Sequence, residues 1–411
     1  MMLAGFGKAE LTPPLGVELA GYGYYLGRRA LRVEDPTFAR AVALEQDGAV
    51  YLLISCDILG LNREIAAQVR QEMQLRHGII PERVTLVSIH THSAAPAIYH
   101  EGCGEVDADY VRTIAPTIIR ACEAALEDRR EVTGLRFSCT DIGGDYVYNR
   151  ACAGGPVDRM VRAFFVTRRN APELALISFP CHAVCNGKTT GISADYPGQV
   201  CRLMQEKTGA EPMFINGLCG DIDPLPCGPE DRQAQRARFA GAIVKAACAD
   251  KQPLPMTVTG GCLHEMLRLM PVTLASIHEA ADRAAGREQA IPGGDRVARV
   301  WEQEMVRRFD TLDGQEPIDV HYLTLGGVPV VALPFEGFTD IGRLIRREAG
   351  DQRAVTLGCA DQLLGYLPTR DDIERGAYAA LESTFLYKRL PVRPGEAERL
   401  GAQIGRRLHE A

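Results

Sequence analysis

The segment SIHTHSAAP, Ser88 to Pro96, carries the sharpest local signal for chemistry. An apolar run, Val84–Ile89, leads into His90 and His92 at the end of an expected strand Val84–His90. Side chains alternate across a strand, so residues two apart point the same way and both imidazoles would enter one site. Such a pair reads either as zinc ligands or as histidines that hydrogen-bond a loop. A second segment, SFPCHAVCNG from Ser178 to Gly187, repeats the pattern, with an apolar strand ending at His182. Cys181 and Cys185 flank that histidine and offer a rival metal pair. Three residues between them, with no second cysteine pair, fit a zinc site poorly, so they read as structural thiols. On its own His182 reads as a core or turn histidine. His77, His100, His264, His278, His321 and His409 lie in surface-like or unremarkable patterns and receive no role.

The elements that must position these groups can be read from periodicity. Short apolar, β-branched runs predict strands at Phe38–Leu44, Val50–Asp57, Arg159–Val166, Leu174–Phe179, Met213–Asn216 and Val328–Leu333. Helical spacing covers Asn62–Leu75, Ala108–Leu126, Pro197–Gln205, Arg232–Ala247, Leu274–Ala284, Asp295–Arg308, Gly337–Glu348 and Pro394–His409. Strands and helices interspersed from start to finish predict an α/β or mixed α+β fold. The 411 residues, 46% of them hydrophobic, are enough for a large core, and we expect one catalytic domain over 1–411. Gly286–Gly294 reads as a surface connection between two helices.

Composition narrows the function classes. A net charge of -7 provides no basic field for phosphates, which argues against nucleic acid as a partner. The N-terminus MMLAGFGKAELTPP lacks the layout of a signal peptide, and no run of about 18 apolar residues predicts a membrane span. Thirteen cysteines, an odd number without any Cys-x-x-Cys pair, read as reduced, mostly buried thiols in a cytoplasmic protein rather than as a redox or metal-storage device. A homo-oligomer, most simply a dimer, is the prior expectation for such a protein.

Taken in order, nine segments resemble one family. They are GFGKAELTPPLGVELAGYG, FARAVALEQDGAVYLLISCDILGL, SIHTHSAAP, YNR with VDRM, SFPCHAVC, ISADYPG, FINGLCGDIDP, ALPFEGF and LLGYLPTRDDIERGAYAALES. The chain is thereby similar to the N-terminal catalytic domain of the neutral (non-lysosomal) ceramidases. The resemblance implies one zinc ion held by two histidines, a glutamate and a tyrosine, which map onto His90, His182, Glu336 and Tyr366. It also implies an arginine near the site, Arg150. His92 is then close enough to pass a proton or donate a hydrogen bond. Taken without the family, Glu336 reads as a carboxylate at a helix start, Tyr366 as a turn tyrosine and Arg150 as half of a salt bridge.

One position departs from the family. Its Gly-Asp-Val-Ser-Pro motif carries a serine, whereas this chain has Gly220-Asp221-Ile222-Asp223-Pro224. A carboxylate does not replace a hydroxyl as acyl acceptor, so Asp223 is expected to act as general base on water or to hydrogen-bond the substrate. The family's immunoglobulin-like C-terminal domain and its export are not expected here. Together these features point to a zinc-dependent hydrolase cleaving an amide, or ester, of a small and relatively polar N-acyl substrate. Two alternatives stand beside it: a true ceramidase acting on sphingolipid, and a metal-binding protein that has lost catalysis.

Overall fold

The computed structural model describes residues 1–23, 25–285 and 293–410. Most of the expected connection at Gly286–Gly294, residues 286–292, lies outside the described residues. Two sheets form the centre. The larger runs in the order Glu211–Asn216, Ala171–Phe179, Met160–Arg168, Arg130–Asp141, Met2–Glu10, Phe38–Gln46, Ala49–Cys56, Val84–Ser88, with Gln252–Leu254 also paired to Arg130–Asp141. It is mixed, and two of its pairs are parallel, Glu211–Asn216 with Ala171–Phe179 and Ala49–Cys56 with Val84–Ser88. The smaller sheet runs Val258–Arg268, Gln315–Leu325, Val328–Ala332, Val355–Leu357.

The sheets pack on each other through Val42, Leu44, Leu53, Phe164, Val166 and Leu176 from one side and Leu323, Leu325, Val328, Val330 and Val355 from the other. Helices cover both outer faces. Arg63–His77 and Ala108–Glu127 bury Ile65, Val69, Ile114 and Ile118 on half of the larger sheet, and Asp195–Thr208 with Arg232–Ala247 cover the other half. Leu274–Ala285, Gly294–Arg307, Thr339–Glu348 and Glu396–Glu410 close over the smaller sheet around Trp301. A strand covered on both faces cannot alternate apolar with polar, and Phe38–Gln46 accordingly buries six of its nine residues in an unbroken run. Helix Ala108–Glu127 lies so close to the first strand that a Cβ on Gly5 or Gly7 would come within 2.0 Å of the carbonyls of Ala125 and Ala121. That approach explains the alternating glycines of the N-terminal segment.

The expected α/β character holds, and every expected helix and strand is found, Arg232–Ala247 with the expected ends and the others with shifted ones. Three long strands were not expected: Arg130–Asp141, Val258–Arg268 and Gln315–Leu325. The second contains Gly260-Gly261, polar His264 and charged Glu265, which disguise a half-exposed strand. Among the described residues, no helix is long and apolar enough to cross a membrane.

Candidate metal centre and cleft

Chain ends from both sheets converge on one edge. Strands Val84–Ser88, Ala171–Phe179 and Glu211–Asn216 of the larger sheet, and Val328–Ala332 of the smaller, all point their C-terminal ends there, and bridges Val87–Ala360 and Gly217–Leu357 tie the two sheets together. The expected strand Val84–His90 stops at Ser88. Strand alternation therefore does not aim His90 and His92. His90 instead has a left-handed backbone, φ +64°, a conformation costing an ordinary residue about 1–2 kcal/mol. Its N–H donates to Ile58 O at 3.0 Å, and a bridge from Thr91 to Ala183 then brings the segment beside His182.

The imidazoles are fixed from behind. His90 Nδ1 lies 2.7 Å from Leu59 O, and His182 Nδ1 lies 2.6 Å from Cys219 O. Both Nδ1 atoms thus donate to backbone, which leaves the two Nε2 atoms facing inward. There they meet one carboxylate: Glu336 Oε2 lies 3.3 Å from His90 Nε2 and 3.0 Å from His182 Nε2. Tyr387 Oη donates to the other oxygen, Oε1, at 2.6 Å. All three ligand candidates are buried. Burial works to raise the Glu336 pKa, but His90 and His182 overcome it and hold the carboxyl well below the usual range. Burial and Arg150 push His182 down, yet Cys219 and Glu336 prevail and raise it to about 10. Donor atoms this close need a positive charge between them, either a proton or a cation.

His92 completes the fit for a metal. Its ring centroid is 5.0 Å from that of His90 and 5.7 Å from that of His182. Neither of its buried ring nitrogens has a hydrogen-bond partner. One nitrogen each from His90, His92 and His182 lie within 4.8 Å of one another. Burial, with His90 and His182 beside it, keeps His92 neutral far below the ordinary imidazole range, the form that binds metal. Three imidazoles and a carboxylate form a donor set suited to zinc among the borderline cations. Gly21, φ +104°, passes so close that a Cβ would be 2.4 Å from the His92 ring, so only glycine leaves the imidazole its place.

The remaining expected residues line a cleft of about 460 Å³ that opens beside this centre, together with Gly21, Tyr22, His92, Tyr148 and Tyr378. Glu336 and Tyr366 face each other in a short parallel strand pair, Glu336–Gly337 with Tyr366–Leu367. Arg150 Nη2 donates to Tyr366 Oη and Arg150 Nε to Gly220 O at 3.2 Å. Burial raises the Tyr366 pKa well above the phenol range despite Arg150, so it is a neutral donor. Asp223 is about one-fifth exposed; its Oδ1 lies 3.7 Å from both Arg150 Nε and His182 Nδ1 and has no hydrogen-bond partner.

Sequence reasoning missed the groups that brace these residues. Asp221 accepts from Asn149 Nδ2, Thr339 N and Thr339 Oγ1 at 2.9–3.0 Å, tying the Arg150 segment to the start of helix Thr339–Glu348. Asp195 accepts from Cys185 N and Asn186 N, holding the turn after His182. Tyr387 lies just beyond the last family-like segment, and no pattern in its neighbourhood marks it. His100 and His321 prove to be buried, His100 against Tyr387 with ring centroids 4.2 Å apart. Cys181 and Cys185 are buried, and neither belongs to a metal-competent group among the described residues.

The fold recurs in known structures. A neutral ceramidase from Pseudomonas aeruginosa superposes with a TM-score of 0.77 at 16% identity, covering 100% of this chain and 74% of that one. A ceramidase complexed with C2 matches with a TM-score of 0.75 at 15% identity, covering 100% and 75%. The chain therefore has the neutral ceramidase fold over its whole length. No family model matches the chain, and no curated protein matches its sequence.

Proposed function

We propose that this chain is a zinc-dependent hydrolase cleaving the amide or ester bond of a small, polar N-acyl compound. The observation that carries the reading is the meeting of His90 Nε2 and His182 Nε2 at one Glu336 oxygen, with both Nδ1 atoms anchored, at the wall of an open cleft. His90, His182 and Glu336 would hold the ion, with His92 or Tyr366 completing the set. When bound, zinc supplies Lewis acidity, polarising a carbonyl and acidifying water to a pKa of roughly 7.

The chain's own groups have distinct parts in such a reaction. Tyr366, a neutral phenol backed by Arg150, donates to the oxygen that becomes negative as water adds to the acyl carbon. Arg150 cannot give up its proton and steadies that charge. Asp223 accepts the proton of the attacking water. When the carbon–nitrogen bond breaks, the same proton passes to the departing amine, leaving a carboxylic acid. His92, whose conjugate acid is strongly disfavoured, is unsuited to accept that proton and serves as ligand or acceptor.

The test is hydrolysis of short polar N-acyl compounds and of ceramide, side by side, with chelator and zinc add-back. Carboxylic acid released from the polar compounds, lost on chelation and restored by zinc, is expected. Ceramide alone being cleaved would favour the sphingolipid reading, and chelator-insensitive cleavage would remove the metal.

A further inference from the structure

The charges along the cleft point to one feature of the substrate. Four charged side chains line it: Arg150, Asp223, Lys188 and Arg232. Arg150 and Asp223 face each other at 3.7 Å by the metal centre. Lys188 and Arg232 have no ion-pair partner among the described residues, and Glu230 and Asp231, next to Arg232 in sequence, do not line the cleft. The cleft thus carries two uncompensated positive charges in a protein of net charge -7. An anion is drawn to this mouth while the rest of the surface repels it.

Both cations have close neighbours in the fold. Lys188 Nζ is 5.6 Å from the Tyr22 ring centroid and 5.1 Å from that of Tyr25. The Arg232 guanidinium lies against Gly187, where a Cβ would meet Cζ and Nε at 3.0 Å; with φ at +61°, this turn admits glycine and leaves the guanidinium its seat. Arg232 also opens the helix Arg232–Ala247, whose N-cap residue Asp231 makes no side-chain cap hydrogen bond.

We propose that Lys188 and Arg232 form an anion subsite, so that the substrate carries a carboxylate or phosphate on the part lying at the cleft mouth. This deepens the hydrolase reading and rests on it only for the bond cleaved at the inner end. A guanidinium fork and an ammonium together suit a planar carboxylate or a phosphate.

Matched pairs test it: N-acetyl amino acids against their carboxamides, and N-acylethanolamines against their O-phosphates. The wild-type protein should favour the charged member of at least one pair in kcat/KM, and the two pairs distinguish carboxylate from phosphate. Arg232→Gln and Lys188→Gln should each lower the charged-to-neutral ratio, Arg232→Gln by roughly 10–100-fold. Calorimetric titration of wild type and Arg232→Gln with the same compounds reads the subsite separately from turnover. Absence of hydrolysis in every pair, with tighter binding of the anions kept, would defeat the hydrolase reading alone. Equal kcat/KM and equal affinity within both pairs, unmoved by either substitution, would overturn the subsite.

Discussion

Two regions of this protein each join a buried carboxylate to histidine, and they differ in how its charge is answered. His90, His182 and Glu336 meet beside a cleft of about 460 Å³; Arg70, His321 and Asp361 meet beside a cavity of about 470 Å³. In the second region both Asp361 oxygens are taken, Oδ1 by Arg70 and by Leu86 N at 3.3 Å, and Oδ2 by His321 Nδ1 at 2.7 Å. Arg70 also donates to Val84 O at 3.0 Å. One full positive charge answers one carboxylate there. In the first region two imidazoles share a carboxylate oxygen, and a third imidazole has two partnerless nitrogens. Unmet donor capacity, rather than a histidine, an acid or a cavity of a given size, marks the place where an ion belongs.

That contrast can be broken by substitution. Asp223→Asn should cut turnover by roughly 10²–10⁴-fold while leaving metal content unchanged, and full turnover in that variant would end the general-base role. Asp361→Asn should instead cost about 3–5 kcal/mol of stability in denaturant unfolding, because it leaves the mostly covered Arg70 guanidinium without its carboxylate, yet leave bound metal as in the wild type. Loss of metal there would mean the two regions are coupled. Tyr387→Phe removes the donor to Glu336 Oε1 and should weaken metal affinity by roughly 10–100-fold, read by chelator competition.

The smallest effect concerns pH. Burial would raise the Asp361 pKa, but Arg70 and His321 hold it down to about 2, against about 3.8 for the free side chain. Because the folded-state value is the lower one, the stabilisation is complete above about pH 4 and is lost as pH falls through about 2. The difference is about 2 kcal/mol. Unfolding curves compared between wild type and Asp361→Asn should show this slope only in the wild type.

Much of the first region was legible in the sequence, and the second was not. His90, His182, Glu336, Tyr366, Arg150 and Asp223 stand in short segments with recognisable neighbours, and the structure gathers all six at one edge of the two sheets. Their supports left no such trace. Leu59 and Cys219 act through carbonyls, which every residue possesses, so only chain crossing selects them. Tyr387 follows the last recognisable segment by four residues, and His321 lies in a half-exposed strand whose pattern hides its burial. The left-handed turn at His90 was likewise invisible, since a histidine there gives no hint of positive φ.

Elemental analysis of protein purified without added metal tests the central claim most directly, run on the wild type, His182→Ala and His321→Ala. The account predicts about one zinc per chain in the wild type and in folded His321→Ala, and almost none in His182→Ala. A wild-type protein free of metal yet fully able to hydrolyse its substrate, or a His182→Ala protein that keeps its zinc, would contradict it.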